Sequence, residues 1–442
     1  MTDIRDRDRL ATGEARDLAL SCVEAGIDAA HPERVVHDAV EVRDGRLGVQ
    51  DATYDLYPYR RIVVLGGGNA AAHVAAALED EIGDRLDGGV VVTDDPVDLA
   101  SVEVLPGAHP VPSEAGVEST RALLDRATEV GGDALVLAVV TGGGSALMAA
   151  PAAGLSLEDL RATTDGLLRS GASIHEINAV RKHCSAGKGG HLAAALAPAT
   201  VVTLVFSDVV GNDLDVIASG PTVPDTSTFE DALAVLDRYD VEVPTSVRDR
   251  LEAGAAGSIE ETPSPGDPAF DRVSTHVLAD GTTALTAAAD AAAAAGYDPV
   301  ILSSRFEGEA REAAAFHDAV VAEVDATGNP ASPPTVLLSG GETTVAVTGD
   351  GAGGPNQEFA LSAALSLPGD AVVASVDTDG IDGASDAAGA ILDADTIDDG
   401  DRARAALDDH DVTPYLADRD ALVVTGQTGT NVNDLRVFVV PG

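Results

Sequence analysis

Lysine occurs twice in the 442 residues, as Lys182 and Lys188, both within RKHCSAGKGGH at 181 to 191, although Lys and Arg together number 27. An ammonium is a compact point charge on a flexible stem, suited to an anion in a crowded site where the planar guanidinium fork fits poorly. If this stretch is helical, Asn178, Arg181, Lys182 and Ser185 follow the three-and-four spacing and share a face. Cations on one face of an acidic chain focus potential on a small negative ligand. The competing role is a patch of structural salt bridges.

Glycine turns are the second chemical signal. VVTGGGSALM sets Gly142, Gly143, Gly144 and Ser145 between an apolar run and a helix, where backbone N–H groups converge on an anion and a hydroxyl is added. SGGETTV repeats the device with Gly340, Gly341 and Glu342. LGGGNAAAH, with Gly66, Gly67, Gly68 and Ala71, fits the G-x-G-x-x-A dinucleotide pattern, and Asp94 or Asp95 closes the next strand. Each of these glycines also suits a plain tight turn.

Carboxylates are the third. Asp208 in FSDVVGND and Asp377, Asp379 and Asp382 in VDTDGIDGASD stand at strand ends, where Mg²⁺ takes one or two carboxylates beside substrate phosphate oxygens. Most aspartates in so acidic a chain are solvated surface groups; Asp208 and Asp379 differ in following apolar strands directly. His109, in the proline-stiffened GAHPVP, suits a substrate contact or a structural role equally. His73 reads as an ordinary helix residue.

The elements that must carry these groups alternate. RIVVLGGG, GGVVVTDD, ALVLAVVTGGGS and TVVTLVFSDVVG are apolar strands ending in Gly or Asp turns, separated by alanine-rich helical segments. That alternation predicts an α/β fold with a parallel sheet covered on both faces and ligands at the carboxyl ends of its strands. AAGSIEETPSPGDPAFDR breaks the pattern, after which HVLAD, PVILSS, TVLLSGGE and AVVASVDTDG restart it. The expected division is a domain at 1–255, a linker at 256–272 and a second α/β domain at 273–442.

Acidic side chains number 74 against 27 basic ones, a net charge of −47. Such a chain repels nucleic acid and anionic membranes. With 45% apolar residues it nevertheless builds packed cores, and the acid excess reads as a halophilic surface, since the Debye length shrinks to ~3 Å at 1 M salt. Two cysteines make no disulfide framework, and no run nears the roughly 18 apolar residues of a membrane span, so a cytoplasmic protein is expected. Self-association is left open.

In order along the chain, GAHPVPSEAG, TGGGSALMAAPAAGLSLEDL, LLRSGASIHEINAVRKHCSAGKGGHLA, SDVVGNDLDVIASGPTVPDTSTFEDAL, SGGETTVAVTGDGAGGPNQEFAL, DTDGIDGASDAAGA and TGQTGTNVNDL resemble the blocks of the MOFRL-type glycerate 2-kinases, whose members are often labelled hydroxypyruvate reductases. The resemblance implies ATP- and Mg²⁺-dependent phosphorylation of D-glycerate at its 2-hydroxyl, in a cleft between a Rossmann-like N-terminal domain and a smaller α/β C-terminal domain. It implies catalytic roles for Asp208, Lys188, Arg181 and Asn69, and metal contacts at Asp208 and Asp379. Nucleotide contacts fall to Gly66 to Gly68, Gly142 to Ser145, Gly340 to Glu342, Asn356, Gln357 and Glu358, and glycerate contacts to His109, Asn178 and Lys182. Two positions depart from the pattern: Asn69 stands where the family usually has lysine, and Pro355 where it usually has arginine. Each departure removes a cation, so an NAD(P)-dependent hydroxypyruvate reductase and a binding relative without catalysis remain as alternative readings.

Overall fold

The computed structural model describes residues 2–347, 349 and 351–442, which form two compact units, one of residues 35–278 and one of residues 1–34 with 279–442. The first begins with a small antiparallel sheet of β1 (Val40–Arg43), β2 (Arg46–Val49) and β3 (Ala52–Asp55). Its main sheet holds β4 (Arg61–Gly67), β5 (Gly89–Thr93), β6 (Val102–Pro106), β7 (Ala134–Thr141), β8 (Thr200–Phe206) and β9 (Val273–Ala279), in the order β6-β5-β4-β7-β8-β9. The pairs from β6 through to β8 are parallel. β7 is buried at every position, as a parallel strand covered on both faces requires.

The strand order reverses direction between β4 and β7. In an open parallel sheet that switch point leaves a crevice outside the strands' carboxyl ends. The turns at 67–70 and 142–145 lie there. The helix Ile174–His183 starts at a capping box in which Ser173 accepts from the Glu176 amide and the Glu176 side chain returns to the Ser173 amide. Leu157–Ser170 starts the same way from Ser156 and Asp159.

The second unit holds β10 (Asp298–Glu309), β11 (Thr335–Thr344), β12 (Val372–Asp377), β13 (Gly389–Asp393), β14 (Leu422–Val423) and β15 (Asp434–Val440), ordered β10-β11-β15-β12-β13-β14. Only β10–β11 is a parallel pair; β15 runs antiparallel between β11 and β12. This sheet is therefore mixed, built around the last strand of the chain.

The units divide at other places than composition indicates. The helix Glu14–Ala30 turns Leu20, Val23 and Ile27 into one core with Leu285, Val437 and Val439, so residues 1–34 belong with the C-terminal sheet. At the other boundary β9 extends the first sheet beside β8, and Thr262 donates to the buried carboxylate of Asp225 at 2.9 Å. The Pro/Gly-rich stretch 256–272 is thus tied into the first unit. Both corrections are long-range contacts, which residue order does not reveal. Among the described residues no helix is long and apolar enough to cross a membrane.

Helix Glu14–Ala30 meets its sheet at Gly26, where an added Cβ would lie 2.5 Å from Leu435 Cδ2 and 3.0 Å from the Ala284 carbonyl oxygen. Gly26→Val is expected to cost about 1–3 kcal/mol by overpacking. Thermal unfolding in molar KCl measures this; an unchanged midpoint would mean that the helix is not seated on that sheet.

Candidate functional site

At the switch point the first glycine turn closes on protein. Gly68 N donates to Val92 O at 3.0 Å, Asn69 N to Gly142 O at 2.9 Å, Ala71 N to Gly68 O at 3.2 Å and Ala70 N to Thr141 Oγ1 at 3.2 Å. No amide from 68 to 71 is left for a pyrophosphate. A Cβ on Gly66 would fall 1.8 Å from Val139 O, one on Gly67 2.7 Å from Val92 O, and one on Gly68 2.1 Å from Thr141 Oγ1. Close strand packing therefore accounts for the G-x-G spacing, and the dinucleotide reading of 66–71 loses its cradle.

The second turn is where chemistry-bearing groups meet. A Cβ on Gly142 would lie 2.4 Å from Asp208 Oδ2; one on Gly143, whose φ is +71°, would lie 1.6 Å from Asn69 Oδ1 and 3.2 Å from His109 Cδ2. The absence of side chains at 142 and 143 lets Asp208, Asn69 and His109 approach one turn. Gly143 N donates to Asp208 Oδ2 at 3.3 Å. Burial raises the Asp208 pKa, opposed by its own amide, by the Gly143 amide and by the His109 charge. Asn69 Oδ1 is buried and accepts no hydrogen bond.

Ser145 continues the site inward. Its Oγ lies 2.8 Å from Ser219 Oγ, which donates to Asn178 Oδ1 at 3.0 Å, while the Asn178 Nδ2 group is buried without a partner. Ala218, Ser219 and Gly220 all have positive φ, 50°, 60° and 62°. Two non-glycine residues in the left-handed region mark backbone held by its surroundings.

The cations behave in opposite ways. Lys182, 1% exposed, pairs with Asp215 and reaches Asp225 Oδ1 at 3.2 Å, so it is a buried structural ion pair and not a substrate contact. The helix ends at His183, which takes Ser185 off the expected face; its Oγ instead accepts from the Gly187 and Lys188 amides at 3.2 and 3.3 Å. Arg181 is mostly buried, which lowers its pKa, and among the described residues no carboxylate pairs with it. Lys188, 6% exposed, donates to Met148 O at 3.2 Å; burial first, then the Arg181 charge, push its pKa down to about 7.

The turns of the second unit are occupied by their own structure. Gly341, at φ +128°, has no room for a Cβ, which would fall 2.1 Å from Phe306 O, and the next residue, Glu342, is exposed. Asn356, Gln357 and Glu358, expected at the nucleotide, are buried and engaged with protein groups. Asn356 Nδ2 donates to Asp434 Oδ1 at 2.6 Å, Gln357 Nε2 to Asp382 Oδ2 at 2.9 Å, and Glu358 receives Arg311 Nε and faces His410 Nδ1, both at 2.8 Å. Asp382 also accepts the Asn356 and Gln357 amides, capping the helix Pro355–Ala364; burial pushes its pKa to about 6 against those donors. Asp379 accepts the Ile381 amide at 2.8 Å and donates its own to Asp377 Oδ1, shaping the loop after β12. Burial and the Asp379 and Asp434 charges hold Asp377 well above the ordinary carboxylate range. Asp208 and Asp379 belong to different units, and among the described residues no three His, Cys, Asp or Glu side chains gather as metal ligands.

Residues 18–252 match a family described as a domain of unknown function (DUF4147), and residues 335–434 match the MOFRL family. The chain is 40% identical to a glycerate 2-kinase of Pyrococcus horikoshii over 97% of this chain and 98% of the relative, and 38% identical to a D-glycerate 2-kinase of Thermotoga maritima over 96% and 98%. It belongs to the MOFRL-type glycerate 2-kinase family. Crystal structures of a Pyrococcus horikoshii protein, 39% identical, and of a Thermotoga maritima glycerate kinase, 38% identical, each superpose with a TM-score of 0.83; they cover 98% and 96% of this chain and 99% and 98% of theirs. Relatives from Agrobacterium vitis, 42% identical over 92% and 86% of this chain and 93% and 99% of theirs, carry a provisional hydroxypyruvate reductase name.

Within this glycerate 2-kinase family member, the two positions expected to depart from the pattern have distinct local settings. Asn69 brings a neutral amide to the Gly143 turn. Pro355 opens the helix Pro355–Ala364 at its first position, where a missing N–H costs nothing. Sequence reasoning missed Asp215, Asp225 and Ser219 around Lys182 and Ser145, and Asp434 and Arg436 in the second unit. Arg436, fully buried, pairs with Asp434 and donates to Thr343 Oγ1 at 2.9 Å. An aspartate in DLDVIASGP or NVNDLRV carries no local mark of burial.

Lys182→Met leaves Asp225 buried without its cation and is expected to cost about 3–5 kcal/mol. Lys188→Met removes a cation with no acidic partner and is expected to leave stability unchanged or raised. Melting both in molar KCl separates the roles; equal losses would refute the distinction.

Proposed function

We propose that this family member transfers the γ-phosphoryl group of ATP to the 2-hydroxyl of D-glycerate. One observation carries the reading: in a chain of net charge −47, Arg181 and Lys188 are two neighbouring, largely buried cations with no carboxylate partner among the described residues. Burying unpaired cations is costly, and an anionic ligand is the group that offsets the cost. The relatives' names supply the acceptor, a small hydroxy-acid that is itself an anion.

Phosphoryl transfer depends on positioning and charge neutralisation more than on covalent chemistry. Asp208 serves as the base: its raised pKa suits a carboxylate that takes the proton of the acceptor hydroxyl, and the Gly143 amide fixes its orientation. His109 lies beside the same turn. Ser145, held by Ser219, offers a hydroxyl at the same turn. Arg181 and Lys188 receive the acceptor's carboxylate, and Asn69 orients through its amide. Mg²⁺, if bound, would supply neutralisation of phosphate charge; because it keeps several waters and needs only one or two carboxylates, Asp208 would be the residue to hold it, as the alternative to its role as base.

ADP release from Mg·ATP and D-glycerate in high KCl, with the product read by phosphorus NMR, tests the reading. A 2-phosphoglycerate signal is expected, and Asp208→Asn should lower the rate ~10²–10⁴-fold with D-glycerate binding retained. NADH oxidation by hydroxypyruvate without ADP release would transfer the reading to a reductase, and binding without turnover to a non-catalytic relative.

A further inference from the structure

The second unit holds a cavity of about 730 Å³ that none of the candidate site residues lines. It opens where Val372 begins β12, Asp393 ends β13 and Pro441 follows β15. The register Val372↔Val439 puts it at one end of that sheet, and Asp377↔Asp434 puts the loop of Asp379 and Asp382 at the other. Arg9 and residues 12–16 close it from the N-terminal segment, and Arg419 and Asp420 from the turn before β14. All of these belong to one unit.

Two sets of donors there lack an acceptor. The helix Glu14–Ala30 starts from Gly13, which has no side chain to cap it, and its first bonded amide is that of Asp17, on Gly13 O at 2.9 Å. Among the described residues the amides of Glu14, Ala15 and Arg16 donate to no protein group, and the 17-residue helix adds the positive end of its dipole. The second donor is Arg419, whose side chain is 10% exposed. Its Nη1 donates to Tyr415 O at 3.0 Å, its Nη2 is bonded to Asp398, and its Cζ lies 3.7 Å from the centre of the Tyr415 ring. Its Nε is buried and has no acceptor among the described residues. Arg419 is part of the cavity wall and Tyr415 is not, so the ring covers one side of the guanidinium and the cavity adjoins another.

The same wall carries open acceptors. Arg16 pairs with Asp393 at 2.8 Å and Arg9 with Asp420 at 2.6 Å, which leaves Glu14, Asp370 and Asp395 exposed with no cationic partner among the described residues. A simple anion would meet these carboxylates, and a simple cation would meet Arg419 and the helix start. A ligand bearing both charges satisfies both sets.

We propose that this cavity binds an α-amino acid with an apolar side chain. Its carboxylate lies at the start of Glu14–Ala30 and takes the Nε–H of Arg419, as anions do at helix N-termini and at guanidinium groups. Its ammonium faces Glu14, Asp370 and Asp395, and its side chain meets Tyr297, Val372 and Pro441. The volume falls within the roughly 300–1,000 Å³ of small-molecule sites. The proposal does not rest on the kinase reading.

Calorimetric titration of the full-length protein in molar KCl tests it with L-leucine and with two relatives that each keep one of its charges, 4-methylpentanoate and 3-methylbutylamine. L-leucine should bind at millimolar concentration or below and raise the thermal midpoint, and each single-charge relative should bind ~10-fold or more weakly. Arg419→Gln and Asp395→Asn should each weaken L-leucine by a similar factor and leave ADP release from Mg·ATP and D-glycerate at its wild-type rate. Asp395 is exposed, so its variant tests the site without disturbing the Arg419 stack. Saturating D-glycerate should not displace L-leucine. These binding readouts stand whether or not the chain phosphorylates glycerate.

Either relative binding as tightly as L-leucine would overturn the two-charge assignment, leaving an anion or a cation site. L-leucine binding that neither substitution weakens, or that D-glycerate displaces, would overturn its placement in this cavity. Neither heat nor a thermal shift with L-leucine would overturn the proposal outright.

Discussion

The site of the first unit depends on one buried ion pair, Lys182 with Asp215 and Asp225. Asp225 is 1% exposed and also accepts Ser227 N, Ser227 Oγ and Thr262 Oγ1, so its remaining lone pairs are satisfied as a buried carboxylate requires. Through it the helix Ile174–His183, the 213–227 segment and the 256–272 stretch are fastened together. Gly189 packs against the same pair: a Cβ there would lie 3.1 Å from both Asp225 Oδ2 and Lys182 Cβ. One cation's structural bonds thereby aim its two neighbours, Arg181 one residue before it and Lys188 just before that glycine.

Acid is abundant in this chain, so an unpaired cation is more informative than a paired one. Lys182 pairs with Asp215 and Asp225 and Arg436 with Asp434, whereas among the described residues Arg181 and Lys188 have no carboxylate partner. A second polarity accompanies this one. Among the described residues, Asn69 Oδ1 and Asn178 Nδ2 are buried without a hydrogen-bond partner, an acceptor and a donor. Buried polar groups with no protein partner stabilise nothing by themselves. Their cost is consistent with a ligand that completes them.

Much of this arrangement was legible in the residues. The apolar runs fixed strands, their Gly and Asp endings fixed where a parallel sheet exposes its turns, and Asp208 and the Gly142–Ser145 turn do meet there. Lysine's rarity drew attention to 181–191 but could not say which lysine pairs with acids, because Asp215 and Asp225 are far along the chain and look like any surface acid. Asn356, Gln357 and Glu358, expected at the nucleotide through the family resemblance, are held by Asp382, Asp434, Arg311 and His410, partners that residue order does not reveal. The glycines at 66–68 were legible as glycines only. Whether such a residue admits a ligand or a neighbouring strand is decided by the strand beside it.

Asn69 and Pro355, the two positions where the resemblance led to the expectation of a cation, have distinct local settings. A lysine at position 69 would add an ammonium beside the Gly143 turn, at a position that is partly exposed. Asparagine preserves reach and hydrogen bonding at the Gly143 turn while adding no charge to desolvate. At Pro355 the helix start is fixed by Asp382 receiving the Asn356 and Gln357 amides, so the fold does not need a side chain from that position. The cationic character that phosphoryl transfer requires is left to Arg181 and Lys188.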